Sequence, residues 1–433
     1  MTSSDEQWTA GGYAWPLNQS GSIACPGNPN HWLAGFVSAI HWSAGRTGYT
    51  NAVALTADDR IDVDEINLTR PDDWHLHVRD GALMEAVVGY SARVFGRAII
   101  MPNLKPPITD VGSARAYRER LGACLPAGSG FEPLMTLYLT DNTSPETIAE
   151  AARSGIIQAV KLYPAGATTN SDSGVTDLAH CHDTLVAMTE YGLPLLIHGE
   201  VTAPEVDIFD REAAFLEQRL TPLLEQHPNL RVVLEHITTQ RAAEFVRQGP
   251  AQLAATITAH HLLLNRNDML VGGIRPHYYC LPVLKRDRDR QALIEAATSG
   301  NPKFFLGTDS APHPRDAKVA DCGCAGVFSA PVALPVYAQV FEAAGALDRL
   351  EGFASHFGAD FYGLPRNSER ITLRRQSWAM PGTIASGDDT MVPLRAGEEI
   401  AWQVVAAAPS HDSYCGPGAA AHERGQRGSS RVQ

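Results

Sequence analysis

Short apolar runs recur along the middle of the chain: "RAIIMPN" (97–103), "PLMTLYLT" (133–140), "IQAVKLYP" (157–164), "PLLIHGE" (194–200), "RVVLEHIT" (231–238), "LAATITAHH" (253–261) and "KFFLGTDS" (303–310). "DWHLHVR" (73–79) makes eight. Apart from this last, the runs do not alternate strictly between apolar and polar, the pattern of strands buried on both faces of a parallel sheet. Helix signals lie between them. Ser144, Pro145 and Glu146 form an N-cap with proline at the first helical position. "TTQRAAEFVRQG" (238–249) opens on a threonine cap and ends on glycine. Eight strand–helix units in roughly 340 residues predict an α/β fold, a (β/α)8 TIM-type barrel. An open doubly wound sheet is the alternative, but no GxGxxG follows the first strand, so a dinucleotide site has no support. The barrel is expected over 61–406, flanked by poorly ordered extensions at 1–60 and 407–433 that are small, polar and without period.

Nearly every run ends in a reactive side chain: His75 and His77, Asn103, Asp141, Lys161, His198, His236 and Asp309. In a barrel the C-terminal strand ends meet at one mouth, where active sites are built. Residues i and i+2 of a strand share a face, so His75, His77 and Arg79 are expected to project into one space. A lone His-x-His is more often a polar edge strand. Four histidines, an aspartate and a lysine on successive strand ends instead supply enough ligands for two metals. Two metals need a bridging anion, and Lys161 stands where it would come from. An ammonium cannot bridge two cations. Carboxylation of Lys161 by CO2 resolves the conflict.

Composition narrows the classes. The chain has 433 residues, 44% hydrophobic, and a formal net charge of -13, with no clustered basic face to bind nucleic acid. No apolar run approaches the roughly 20 residues of a membrane span, and no secretory signal is visible, so a cytoplasmic protein is expected. Seven scattered cysteines suit reduced thiols. Cys322 and Cys324 lack a second pair at zinc-knuckle spacing.

From about residue 66 to 404 the chain resembles the dihydroorotases of the shorter, bacterial type within the amidohydrolase superfamily. The motifs are "RPDDWHLHVRDG", "RAIIMPNLKPPIT", "KLYPAGATTNSDSGVT", "LIHGEVT", "FDRE", "LEHITT", "ATITAHHLLLNRNDMLVGGIRPHYYCLPVLK", "FLGTDSAPH" and "CGCAGVF". Such enzymes interconvert N-carbamoyl-L-aspartate and L-dihydroorotate in pyrimidine biosynthesis. The resemblance implies that His75, His77 and Asp309 hold one zinc and His198 and His236 another. N6-carboxylated Lys161 and a hydroxide would bridge the two, with Asp309 as general acid and base. It further implies that Arg79, Asn103 and His313 grip the substrate carboxylate, and that main-chain groups near Leu281 and Ala325 pair with the ring amide. Thr168 and Thr169 would reach in from a mobile loop. Gly166, just before that loop, stands where a side chain is common, which could loosen its hinge.

A hydantoinase or dihydropyrimidinase would share the metals but has no need of a carboxylate grip. The same objection applies to a phosphotriesterase-like hydrolase, and a catalytically dead scaffold would have lost ligands. A homodimer acting on a small molecule is expected. Residues 1 to about 60 are expected to be dispensable, since the family's usual start falls near Ile66.

Overall fold

The computed structural model describes residues 63–405, so the expectations for 1–60 and 407–433 lie outside the described residues. The first strand, β1 (Glu65–Thr69), stands apart from the barrel. Eight strands then follow: β2 (Asp73–Leu76), β3 (Arg97–Ile100), β4 (Glu132–Tyr138), β5 (Ile157–Leu162), β6 (Leu195–His198), β7 (Val232–Glu235), β8 (Leu253–Ile257) and β9 (Phe304–Leu306). They pair in sequential order, all parallel. Each falls on one of the eight apolar runs. A parallel bridge between Leu76 and Ser310 brings the last strand back to the first.

That seam is held by polar groups. Asp309 N–H donates to the His75 carbonyl (2.9 Å) and His77 N–H to that of Ser310 (3.1 Å). The buried Asp73 accepts from Thr308 N–H (2.8 Å) and Thr308 Oγ1 (2.5 Å). Gly307 makes the closure possible, because a Cβ there would sit 2.7 Å from Thr256 Cβ and 3.1 Å from His75 Cβ.

The strand period of two then separates core from chemistry. Ala159, Leu196, Val233 and Ala254 belong to one buried apolar cluster with Ile99, Leu134, Phe305 and Trp74. Trp74 stacks on Tyr362, with ring centroids 4.5 Å apart. Two residues further along four of these strands come Lys161, His198, Glu235 and Thr256, on the same face and nearer the C-terminal ends.

The caps form where the sequence placed them. Ser144 accepts from Thr147 N–H ahead of the helix Pro145–Ser154, and Thr239 accepts from Ala242 N–H ahead of Gln240–Gln248. Gly249 ends the second helix in an extended rather than left-handed conformation, packed too close to Leu253 and Phe245 for a Cβ.

One layer went unforeseen. β1 pairs antiparallel with β10 (Arg370–Ala379), which pairs with β13 (Glu399–Val405), beside a small hairpin of β11 (Ile384–Ser386) and β12 (Asp389–Met391). The described part of the chain is therefore a barrel with an added three-stranded sheet.

Candidate active site

The first barrel strand is shorter than expected. β2 ends at Leu76, and Arg79 takes a left-handed backbone with φ 60°. His75 and His77 still converge, their Nε2 atoms 3.3 Å apart. Arg79 reaches the same space through its turn rather than by strand alternation. Among the described residues only five non-glycine residues have positive φ, and His236 (41°) and Asp309 (43°) are two more of them. Side chains held in this unfavourable region cluster where function over-determines the backbone.

Asp309 Oδ1 lies 3.2 Å from His77 Nε2 and 3.4 Å from His75 Nε2. Donor atoms of His75, His236 and Asp309 all fall within 4.8 Å of one another. The His198 ring stands 4.9 Å from that of His236, centroid to centroid. Each of two imidazoles is oriented by a buried carboxylate absent from the sequence reading. Glu235 Oε2 faces His75 Nδ1 at 2.8 Å and also accepts from Thr256 Oγ1 (2.6 Å). Glu200 Oε2 faces His198 Nε2 at 2.8 Å. A carboxylate on one ring nitrogen leaves the other free as a ligand and makes it more basic.

Protonation states agree with a metal centre. Burial drives His77 down to about 3 and His236 well below the usual range, so both imidazoles are neutral. Burial also opposes ionisation of Asp309, but the facing His75, His77 and His236 outweigh it and hold the carboxyl well below its usual range. Burial lowers Lys161 to about 8, although Glu235 and Asp309 pull the other way. The Lys161 amine is fully buried and its Nζ has no hydrogen-bond partner. Neutral imidazoles and an ionised carboxylate are the forms that metal ligation requires, and burial makes the Lys161 proton easier to lose. The orphaned amine also fits CO2 addition, which would turn it into an anion with two oxygens. The residues present therefore fit a metal centre.

The predicted carboxylate grip lies beside this cluster. Arg79 Nη2 is 3.0 Å from His313 Nε2, and its Nε donates to the Pro312 carbonyl (3.2 Å). His313 Nε2 also lies 3.0 Å from the Ala325 carbonyl. One ring nitrogen cannot accept from Arg79 and donate to Ala325 at once. Burial, then the nearby Arg79 charge, lowers His313 to about 2, so the ring is neutral and one of the two contacts is left without a hydrogen bond.

The loop carrying Thr168 and Thr169 lies across the mouth. Asn103 Nδ2 donates to the Thr169 carbonyl (3.0 Å), Asn170 Nδ2 returns a bond to the Asn103 carbonyl (3.0 Å), and Thr169 Oγ1 donates to that of Ala325 (3.3 Å). Gly166 stands at φ +75°, a conformation that favours glycine, and its N–H donates to the Ser171 carbonyl (3.1 Å). The cavity beneath has a volume of about 20 Å³, room for about one water. His75, His77, Arg79, Asn103, His198, His236, Asp309, Leu281 and Ala325 line it, and Tyr163 joins them unforeseen.

Asp141 does not join the site. It turns to the segment after the loop, accepting from Thr176 N–H (2.9 Å) and Thr176 Oγ1 (2.5 Å). Cys322 and Cys324 carry free thiols. A second buried group, His260, His261 and Cys280, also brings donor atoms within 4.8 Å. Its His261 nitrogens already meet Thr258 Oγ1 (2.8 Å) and the Pro282 carbonyl (3.0 Å), and Cys280 donates to that same carbonyl (3.3 Å), so the chain itself satisfies two of the three.

The profile of the amidohydrolase family matches residues 73–378. A dihydroorotase of Alkalilimnicola ehrlichii is 68% identical over 340 residues, covering 78% of this chain and 99% of that protein. A solved dihydroorotase from Saccharomyces cerevisiae in complex with 5-fluoroorotic acid superposes with a TM-score of 0.73 at 38% identity, over 79% of this chain and 99% of the other. An L-hydantoinase from Arthrobacter aurescens shares the fold alone, at 14% identity and a TM-score of 0.63 over 78% of this chain and 82% of its own. With most of the strand-end cluster, Arg79 and Asn103 lining one cavity and His313 against Arg79, these likenesses agree: the chain belongs to the amidohydrolase family and, within it, to the dihydroorotases.

Proposed function

We propose that this chain interconverts N-carbamoyl-L-aspartate and L-dihydroorotate through a metal-dependent site built on His75, His77, Lys161, His198, His236 and Asp309. The observation that carries the reading is that the His/Asp cluster, Arg79 and Asn103 line one cavity and His313 lies against Arg79. In this reading His75, His77 and Asp309 would hold one zinc, His198 and His236 the other, and Lys161, once carboxylated, would supply a ligand to both. Bound zinc would supply a hydrolytic nucleophile at neutral pH and polarise the scissile carbonyl.

The chain's own groups do the rest. Arg79 presents a planar fork to the substrate carboxylate, with Asn103 and His313 completing the grip. Main-chain groups at Leu281 and Ala325 meet the ring amide and fix which carbonyl faces the cluster. Asp309, ionised and at the cluster, takes the proton of the attacking water at a carboxylate oxygen and returns it to the leaving amide nitrogen. The loop bearing Thr168 and Thr169 lines the cavity, so its opening would admit the substrate and its closing would exclude water. Ring closure consumes a proton, so lower pH favours dihydroorotate.

The carboxylate grip is what sets this reading apart from a hydantoinase. The test is ring opening of L-dihydroorotate against hydantoin and dihydrouracil, which lack the carboxylate. One charge-assisted contact is worth about 1.5–3 kcal/mol, or roughly 10- to 150-fold. Dihydroorotate should therefore lead by at least tenfold in kcat/KM. Equal rates on the neutral rings would overturn the proposal. A cytoplasmic homodimer is the form this reading expects, and sedimentation of the purified protein tests the dimer.

A further inference from the structure

Lys318 is a lysine in an unusual place. It sits in the short helix Arg315–Val319 with 5% of its surface exposed, and burial lowers it to about 8. Lysines are almost never buried without a partner, because an ammonium taken out of water loses its hydration. Here no carboxylate replaces the water. The Nζ donates instead to three backbone carbonyls: Tyr279 (2.7 Å), Cys324 (2.8 Å) and Gly326 (2.7 Å). An ammonium has three donors, and these bonds use all of them.

The carbonyls come from two separate segments, and both bear on the site. Cys324 and Gly326 flank Ala325, so Lys318 holds the chain one residue to either side of it. Tyr279 lies two residues before Leu281, and its carbonyl also accepts from Gly326 N–H (3.0 Å), joining the segments directly. The Ala325 carbonyl in turn faces His313 Nε2 and Thr169 Oγ1. Gly326 packs so closely that a Cβ would stand 2.6 Å from the Ala311 carbonyl oxygen, so the segment has little freedom beyond this anchor.

We propose that Lys318 is a positioning residue for substrate recognition: by drawing three carbonyls of two segments to one ammonium, it presents the main chain at Leu281 and Ala325 to the ring amide. Lys318 lines no part of the cavity and does not touch substrate. The proposal rests on the functional reading above and extends it to a residue with no direct chemical part.

The test is Lys318→Met, which keeps the stem and removes every donor. Five quantities are compared with wild type: kcat and KM for L-dihydroorotate, zinc per chain, inhibition by orotate, and inhibition by L-malate. Orotate offers a ring amide and a carboxylate, whereas malate offers carboxylates only. KM for dihydroorotate and the inhibition constant of orotate should each rise tenfold or more, with kcat falling less. Zinc content and malate inhibition should stay within twofold. If Lys318→Met does not fold, Lys318→Gln, which keeps two N–H donors at shorter reach, is measured in the same way and should show a smaller rise in the same two constants. Constants within twofold of wild type overturn the proposal, and so does an equal weakening of malate and orotate, which would mark general structural damage. Wild-type protein that does not open dihydroorotate would overturn the functional reading and this proposal with it. Wild-type turnover with unperturbed variants overturns this proposal alone.

Discussion

Removing the carboxylate behind His75 should loosen the metal without touching a ligand. Glu235 is buried, and its Oε2 holds both His75 Nδ1 (2.8 Å) and Thr256 Oγ1 (2.6 Å). In Glu235→Ala, His75 Nδ1 loses the acceptor that fixes its tautomer, and the ring is free to turn away from Asp309. Losing a partner of this kind typically weakens metal binding about 10- to 100-fold, which is about 1.4–2.7 kcal/mol. Glu235→Gln should be milder, since an amide oxygen can still accept from Nδ1. Its NH2 group, however, enters a buried position, where an unpaired donor costs about 1–3 kcal/mol. The assay is zinc retained per chain after dialysis against graded chelator, followed by dihydroorotate turnover with and without added zinc. The expected order of retention is wild type, then Glu235→Gln, then Glu235→Ala, with excess zinc restoring part of the lost turnover. If Glu235→Ala holds zinc as tightly as wild type, His75 is not a ligand oriented by Glu235 and the site geometry has been misread.

Lys161→Ala should bind less zinc and lose nearly all turnover, with partial rescue by short carboxylic acids that can occupy the vacated space. Full activity and full zinc in that variant would contradict a bridging role. Arg79→Met should raise KM for dihydroorotate roughly 10- to 150-fold, the loss of one charge-assisted contact, while zinc content stays constant. An unchanged KM would place the carboxylate elsewhere. Reactivation of metal-free protein by zinc, at a fixed concentration of dissolved CO2, should speed up as pH rises to about 8 and then level off. Only the free amine attacks CO2, and burial brings Lys161 to about 8. A rate that falls over that range would argue against carboxylation at this lysine.

The barrel was legible because parallel strands covered on both faces must be apolar throughout, and each of the eight runs became a strand. The β1–β10–β13 sheet was not, since its pairing joins Glu65 to Arg374 and Thr372 to Val405 across long stretches of sequence. In β10 only Ile371 and Leu373 are buried in alternation, too short a period to stand out. At the mouth, His198 and Lys161 were readable as strand-end residues. Glu235 carried the same signal, lying two residues after the interior Val233 in an otherwise apolar run, but the neighbouring His236 drew the assignment. Asp141 misled for the opposite reason. It lies three residues beyond the end of β4, where direction is set by the Thr176 hydrogen bonds rather than by strand alternation. Lys318 gave no signal at all, because its partners are backbone carbonyls and sequence does not show which carbonyls converge.

The most direct test of the account is dihydroorotate ring opening and zinc content measured on the same wild-type samples as chelator removes metal and zinc returns it. The account predicts that turnover tracks zinc per chain, falls to background in the stripped protein and recovers on reloading. Undiminished turnover in zinc-free protein, or none in protein with its zinc complement, would contradict it.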